Sequence, residues 1–254
     1  MRRPRIIPVL LLNEGGLVKT RKFKDPSYVG DPINAVRILN EKEVDELVLL
    51  DISASKYGTP PDFDLIQSIA VECFMPLAYG GGITKISEIY RLFSIGVEKI
   101  IINSAVMYEQ ELIKEAAEIF GSQSIVASMD CKRKLTGGYQ IFSHSGRKIS
   151  EGTPIKMAKL LEQAGAGELI LTSVDRDGER DGFDTRLCQE ISRALRIPVI
   201  ACGGGGELRH FRDVLKNTEC SAAAGGSFFV HHGKHRAVLI TYPKSIDIEN
   251  LLSE

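Results

Sequence analysis

No two of the five cysteines (Cys73, Cys131, Cys188, Cys202 and Cys220) stand at CxxC spacing, and none has a histidine at metal-ligand distance. An odd, unclustered set of thiols argues against a disulfide framework and against structural zinc. The histidines, His144, His210, His231, His232 and His235, form no HExxH or HxH pattern, so neither a metal nor another cofactor is expected. The stretch from His231 to His235 reads as a polar loop or helix. GxSxG and Cys/His nucleophile arrangements are missing as well, which sets aside the familiar covalent hydrolases. Charge of one sign is lacking: 32 basic against 33 acidic side chains leave a net charge of -1, and with it no general attraction to nucleic acid or to an anionic membrane. The local basic run Arg21-Lys22-Phe23-Lys24 reads either as a solvated loop or as a patch that acts locally on such partners. The apolar run Ile6 to Leu12 stops at Asn13-Glu14-Gly15-Gly16, too short to span a bilayer and without a small-residue cleavage site, so a cytoplasmic protein is expected. No Pro- or Ser-rich linker interrupts the chain. Its 254 residues could make two domains, but one domain over 1–254 is expected.

What is present is the composition of a globular chain able to bury a large core, 43% hydrophobic and 26% charged. Eight short apolar runs recur: Ile6 to Leu12, Leu47 to Leu50, Leu77 to Tyr79, Ile100 to Ile102, Ile125 to Met129, Leu169 to Leu171, Val199 to Ala201 and Ala222 to Ala224. They are continuously apolar rather than alternating, as parallel strands buried on both faces must be. Between them lie helical stripes such as Ile86, Ile89, Tyr90 and Phe93, and Met157, Leu160, Leu161 and Ala164. Thr153 as N-cap, Pro154 at the first position and Gly165 past the end bracket the second stripe.

The strongest organisational signal is an internal repeat. Glu46-Leu47-Val48-Leu49-Leu50 matches Glu168-Leu169-Ile170-Leu171-Thr172, and Pro76 to Gly82 matches Pro198 to Gly204, both 122 residues apart. Equal halves in constant register, about 1–122 and 123–254, predict a (β/α)8 TIM barrel with a two-fold half-barrel repeat, because a doubly wound open sheet has no need of equal halves.

Gly80-Gly81-Gly82 and Gly203-Gly204-Gly205-Gly206 each follow a strand, where amides free of Cβ hindrance can turn toward an anion. Gly225-Gly226-Ser227 follows the last strand, where barrels commonly bind phosphate. Asn103-Ser104 stand in register with Gly225-Gly226 and suggest a second phosphate site, hence a bis-phosphate or otherwise long substrate. Asp51, Asp130 and Asp177 lie at or after strand ends as acid–base candidates, although an aspartate in a βα loop is often a helix cap. At the amino ends stand Arg5, Glu46, Lys99 and Glu168, balanced in sign. They read either as plain solvation or as a closed ion-pair ring, which requires them to be mutual partners.

Several motifs are more specific than these patterns. Arg5-Ile6-Ile7, Asp45 to Ile52, Gly80 to Ile83, Ile102-Asn103, Phe120 to Gln123, Asp130 to Arg133 and Leu171 to Gly178 closely resemble the cyclase subunit of imidazole glycerol phosphate synthase over nearly the whole chain. The resemblance implies a barrel that docks a glutaminase subunit on its amino-terminal face. It further implies that ammonia is admitted through a charged gate, here Arg5, Glu46, Lys99 and Glu168, and conducted to the opposite face. There it implies a bis-phosphorylated ribulosyl-aminoimidazole substrate, held by Gly81, Gly82, Asn103, Ser104, Asp177, Gly178, Gly203, Gly204, Gly225, Gly226, Ser227, Lys19 and Asp51. Of the family's two catalytic aspartates, one is Asp130 and the other falls on Leu11; the strand-7 position, usually serine, is Cys202. Leucine cannot transfer a proton, so cyclase turnover should be very low unless Asn13, Glu14 or a water substitutes. The pattern resembles a divergent branch from surface-polysaccharide pathways, in which glutaminase and barrel serve a separate amidotransferase that converts a sugar acetamido group to an acetamidino group. Three readings stay open: that branch, a working histidine-pathway cyclase, and a non-catalytic scaffold.

Overall fold

The computed structural model describes residues 4–103, 110–142, 152–233 and 235–253. Ser104 and His144 fall outside them. Each apolar run becomes a strand: β1 (Arg5–Asn13), β2 (Leu47–Asp51), β3 (Leu77–Gly80), β4 (Lys99–Ile102), β5 (Ile125–Arg133), β6 (Glu168–Ser173), β7 (Val199–Cys202) and β8 (Ala222–Gly225). Neighbours pair in parallel in that order, and β8 returns to β1 through Arg5 opposite Ala222 and Ile7 opposite Ala224. The result is a closed (β/α)8 barrel. The main helices are α1 (Pro32–Glu41), α2 (Phe63–Glu72), α3 (Ile86–Ser94), α4 (Gln110–Phe120), α5 (Pro154–Gln163), α6 (Thr185–Ser192), α7 (Leu208–Asn217) and α8 (Ser245–Ser253). None is long and apolar enough to cross a membrane, among the described residues.

Strand periodicity divides the core in two. On β1, Ile6, Leu10 and Leu12 pack toward the helices, while Ile7, Val9 and Leu11 join Val48, Ala78, Ile101, Val126, Ile170, Ile200, Ala222 and Ala224 inside the barrel. A slip of one residue would exchange the two sets and point Arg5 at the helices.

Local signals mark α5 as anticipated: the Thr153 hydroxyl accepts from the Lys156 amide at 3.3 Å, Pro154 opens the helix, and Gly165 leaves it at φ 102°. The stripe on α3 needs one correction. Ile89 and Leu92 are its buried residues, whereas Tyr90 is 55% exposed and lays its ring edge on Phe120, because a tyrosine on the flank can shield apolar surface while its hydroxyl stays wet.

Two segments read as loops are ordered differently. Gly16–Arg21 pairs antiparallel with β1 and with Lys24–Gly30, so the basic run is the tight end of a hairpin, with Lys22 and Phe23 at φ 49° and 63°. Two of its three cations are paired rather than merely solvated: Arg21 grips Glu179 at 2.6 and 2.9 Å, with Lys22 at 3.6 Å. His231–His232 pairs with Ala237–Val238 in a small hairpin, neither loop nor helix, and this buries His231.

Candidate functional site

Inward-facing positions at the carboxyl ends of the strands converge on Asp130. It sits on β5 and is 7% exposed, and its carboxylate accepts from the Asn103 amide at 2.6 Å and from the Thr172 hydroxyl. Burial pushes its pKa up to about 6; the two hydrogen bonds oppose that rise and the negative charge of Asp177 adds to it. A carboxyl group poised there can exchange a proton near neutrality. Thr172 went unnoticed in the sequence, although counting two residues at a time from Glu168 through Ile170 leads to it.

Leu11, Leu50 and Cys202 pack, partly buried, against the apolar interior of the barrel; desolvation first and then Asp177 raise the Cys202 thiol to about 12, so it stays protonated at neutral pH. Of the conceivable substitutes for an acid at position 11, Glu14 is exposed in the turn after β1. Its carboxylate accepts from the Tyr57 hydroxyl at 3.3 Å and its amide donates to Ser53. Asn13 closes β1 opposite Gly16.

Asp177 and Lys19 are brought together at 2.8 Å, both buried. The other carboxylate oxygen of Asp177 accepts from the Thr20 hydroxyl at 3.0 Å and the Phe23 amide at 3.3 Å, and Lys19 also donates to the Thr20 carbonyl. Together with Arg21 and Glu179, these bonds fasten the first hairpin across the loop after β6. Gly178 permits the approach, since a β-carbon there would stand 2.6 Å from the Thr20 carbonyl. Asp51 takes the capping role left open for it: one carboxylate oxygen accepts from the Ser53 amide and hydroxyl and the Ala54 amide, starting the short helix Ile52–Tyr57.

The glycine runs repeat in space as in sequence. Gly81 (φ 124°) sits against the Asp51 carbonyl, and Gly203 (φ 91°) against the Ser173 carbonyl, 122 residues further on. Gly82 and Gly204 likewise abut the Thr59 and Gly182 carbonyls. In each half only glycine lets this loop turn over its neighbouring strand. Gly225 faces the Phe211 ring, and Gly226 lies under the Lys19 side chain. Ser227 is 3% exposed, and its buried hydroxyl has no hydrogen-bond partner among the described residues. No group of three or more His, Cys, Asp or Glu able to hold a metal occurs among the described residues.

At the opposite end the four charges close a ring. Arg5 reaches Glu46 at 2.5 Å and Glu168 at 2.6 Å, and Lys99 reaches the other oxygen of each at 2.9 and 3.0 Å. Desolvation would lower the Arg5 pKa, but Glu168 and Glu46 outweigh it and the net shift is upward. The ring lies below the apolar interior that leads to Asp130, so the two clusters face each other along the barrel axis. A groove of 620 Å³ lined by Lys159, Glu162, Gln163, Ala194, Arg196 and Ile197 lies between α5 and the turn before β7, apart from both.

The profile of the family described as histidine biosynthesis protein matches residues 5–236. The chain is 53% identical over 243 residues to a Pseudomonas aeruginosa protein provisionally named imidazole glycerol phosphate synthase subunit hisF2, covering 96% of this chain and 97% of the relative. It is 44% identical over 244 residues to a Vibrio vulnificus protein provisionally named subunit hisF3, covering 96% and 94%. To the imidazole glycerol phosphate synthase subunit HisF of Bacillus cereus it is 40% identical over 230 residues, 91% of each.

Proposed function

The chain belongs to the histidine biosynthesis protein family, and from that premise we propose that it is a HisF-like synthase subunit of a glutamine amidotransferase. It receives ammonia from a glutaminase docked on the amino-terminal barrel face and delivers it at the Asp130 mouth for amidination of a sugar in surface-glycan biosynthesis. The observation that carries this reading is the contrast between the two ends. The ring of Arg5, Glu46, Lys99 and Glu168 is complete, whereas Leu11 occupies the place of an acid–base partner to Asp130. Between them the lining is apolar, Ile7, Val48, Ala78, Ile101, Val126, Ile170, Ile200 and Ala222, which favours neutral ammonia over ammonium because a lone buried charge is costly. Gly81, Gly82, Gly203, Gly204, Gly225, Gly226 and Ser227 supply the phosphate grips.

A second reading has one observation in its favour. Asp130, held by Asn103 and Thr172 with its pKa near 6, is still built for proton transfer, so a ring-closing cyclase working on one aspartate is the competitor. The experiment is ammonium-driven turnover of the ribulosyl-aminoimidazole substrate by the unmodified protein beside Leu11→Asp. Very low turnover that rises in the variant by about 10²–10⁴-fold is expected, the usual contribution of one general acid or base. Ordinary cyclase turnover in the unmodified protein would sink the ammonia-delivery reading.

A further inference from the structure

Two turns at the amino ends of the strands, made equivalent by the internal repeat, flank the charged ring. Cys73 to Pro76 leads into β3, and 122 residues later Leu195 to Pro198 leads into β7. The Pro76 carbonyl accepts from the amide of Leu47, the neighbour of Glu46, and the Pro198 carbonyl accepts from the amide of Leu169, the neighbour of Glu168, both at 2.9 Å. β3 and β7 stand four strands apart in the closed barrel, so the turns lie on opposite sides of the ring. A helix side chain clamps each of them. The Asn40 side-chain oxygen accepts from the Phe74 amide at 3.1 Å, and at the equivalent position the Glu162 carboxylate accepts from the Arg196 and Ile197 amides at 2.6 and 3.0 Å. The backbones are held alike, but the side chains on display differ. In the first half Phe74 is 86% exposed and Val71, on the last turn of α2, is 68% exposed. The cation of that half is cancelled, because Arg37 holds Glu72 through bonds of 3.0 and 2.6 Å. In the second half Arg196 stands in the place of Phe74, and Ala194 in the place of Glu72. Lys159, the counterpart of Arg37, therefore has no carboxylate to hold, and neither it nor Arg196 forms an ion pair among the described residues. Both cations and Ala194 line the 620 Å³ groove, whose own carboxylate, Glu162, is committed to the backbone amides.

We propose that this difference between equivalent turns fixes the orientation of the glutaminase on the amino-terminal face: Phe74 and Val71 enter an apolar pocket of the glutaminase, and an acidic segment of it enters the groove at Lys159 and Arg196. A perfect two-fold repeat would accept a partner in two orientations half a turn apart. An apolar anchor on one side and a cationic groove on the other leave one. Phe74 suits the role of anchor because its backbone is already clamped while its ring is bare, so binding orders little that was free. The two cations add charge complementarity, which selects the register of approach. This inference rests on the proposed docking of a glutaminase at this end of the barrel, and the experiment separates the two.

The full chain is titrated calorimetrically into its glutaminase subunit at about 50 mM and about 300 mM salt, beside Phe74→Ala, Arg196→Glu and, at the carboxyl end of the barrel, Lys56→Glu. All three side chains are exposed, so each variant should keep the Tm of the unmodified protein. Phe74→Ala should weaken binding by roughly tenfold or more at both salt concentrations, since it removes apolar contact area. Arg196→Glu should weaken it by roughly tenfold or more at low salt and much less at high salt, since it reverses a screened charge. Lys56→Glu should bind within about twofold of the unmodified protein. Orientation is read by placing p-benzoylphenylalanine at Phe74 and, separately, at Arg196, and mapping the glutaminase peptides captured on irradiation. The two positions should capture different peptides, with acidic residues in those from Arg196. Capture of the same peptides from both positions means two orientations and overturns the inference. So does an affinity within about twofold of the unmodified protein for either Phe74→Ala or Arg196→Glu, which leaves docking at this end standing. Self-association of the chain that Phe74→Ala abolishes assigns the apolar turn to a second copy and also overturns it. Weakening by Lys56→Glu alone, or no binding of the unmodified protein, overturns the inference and the docking reading together.

Discussion

Replacing Lys99 by methionine keeps the side-chain stem and deletes one of the two cations in the ring at the amino ends of the strands. Glu46 and Glu168, whose side chains are 6% and 13% exposed, would then share Arg5 alone, and the cluster would pass from neutral to one net negative charge. Removing one partner from a fully buried pair costs about 3–5 kcal/mol. Lys99 and Arg5 are 19% and 26% exposed, so water screens part of this and a loss of about 2 kcal/mol is expected. In a chain of this length that corresponds to a Tm lower by about 4–8 °C, read by calorimetry or circular dichroism. The added change Glu46→Gln rebalances the charge and should recover part of the loss. Function is read in the complex with a glutaminase, comparing glutamine-driven with ammonium-driven product formation. The variant should alter the first while leaving the second at saturating ammonium within about twofold, because added ammonia need not enter through the ring. Equal loss in both assays would refute the gate, and an unchanged Tm would refute the pairing itself.

Asp130→Asn tests the buried carboxyl. Its folded pKa of about 6 lies above the unfolded value, so the stability associated with its protonated form is complete below about pH 4 and is lost as pH rises through 6. The variant should therefore gain stability over the unmodified protein on going from acid to mildly alkaline pH, by on the order of 3 kcal/mol in urea unfolding; an equal difference at both ends contradicts the shift. Gly203→Ala and Gly15→Ala share a positive φ, 91° and 82°, but a β-carbon meets the Ser173 carbonyl at 2.7 Å in the first and nothing within 4 Å in the second. Urea unfolding should show about 1 kcal/mol lost for Gly15→Ala and at least about 3 kcal/mol for Gly203→Ala; similar losses would mean that backbone strain alone set the choice of glycine.

Much of this was legible beforehand because it depends on periodicity. Eight apolar runs became eight strands, and the Glu46/Glu168 repeat carried through to matching contacts at Gly81 and Gly203, since local register is written in residue spacing. Other features were not legible because they depend on partners distant in the chain. Asp51 looked like an acid–base candidate and spends an oxygen on its own helix cap. The basic run at Arg21 looked solvated and is paired with Glu179, 158 residues away. His231 looked like part of a polar stretch, and nothing in its neighbours foretold burial among Arg180, Lys19 and Arg236.

The sequence by itself therefore determined the barrel, its two-fold repeat pattern and the candidates at each end, because strand and helix periods and glycine spacing are local properties of the chain. Only the tertiary structure decided which charges cancel. Whether Arg5, Glu46, Lys99 and Glu168 form a ring, whether Lys19 is held by Asp177, and whether His231 Nδ1 is left without a partner depend on barrel closure. Closure brings β1 beside β8 and β6 across from β2, at distances where hydrogen bonding and desolvation are settled in ångströms rather than in residues.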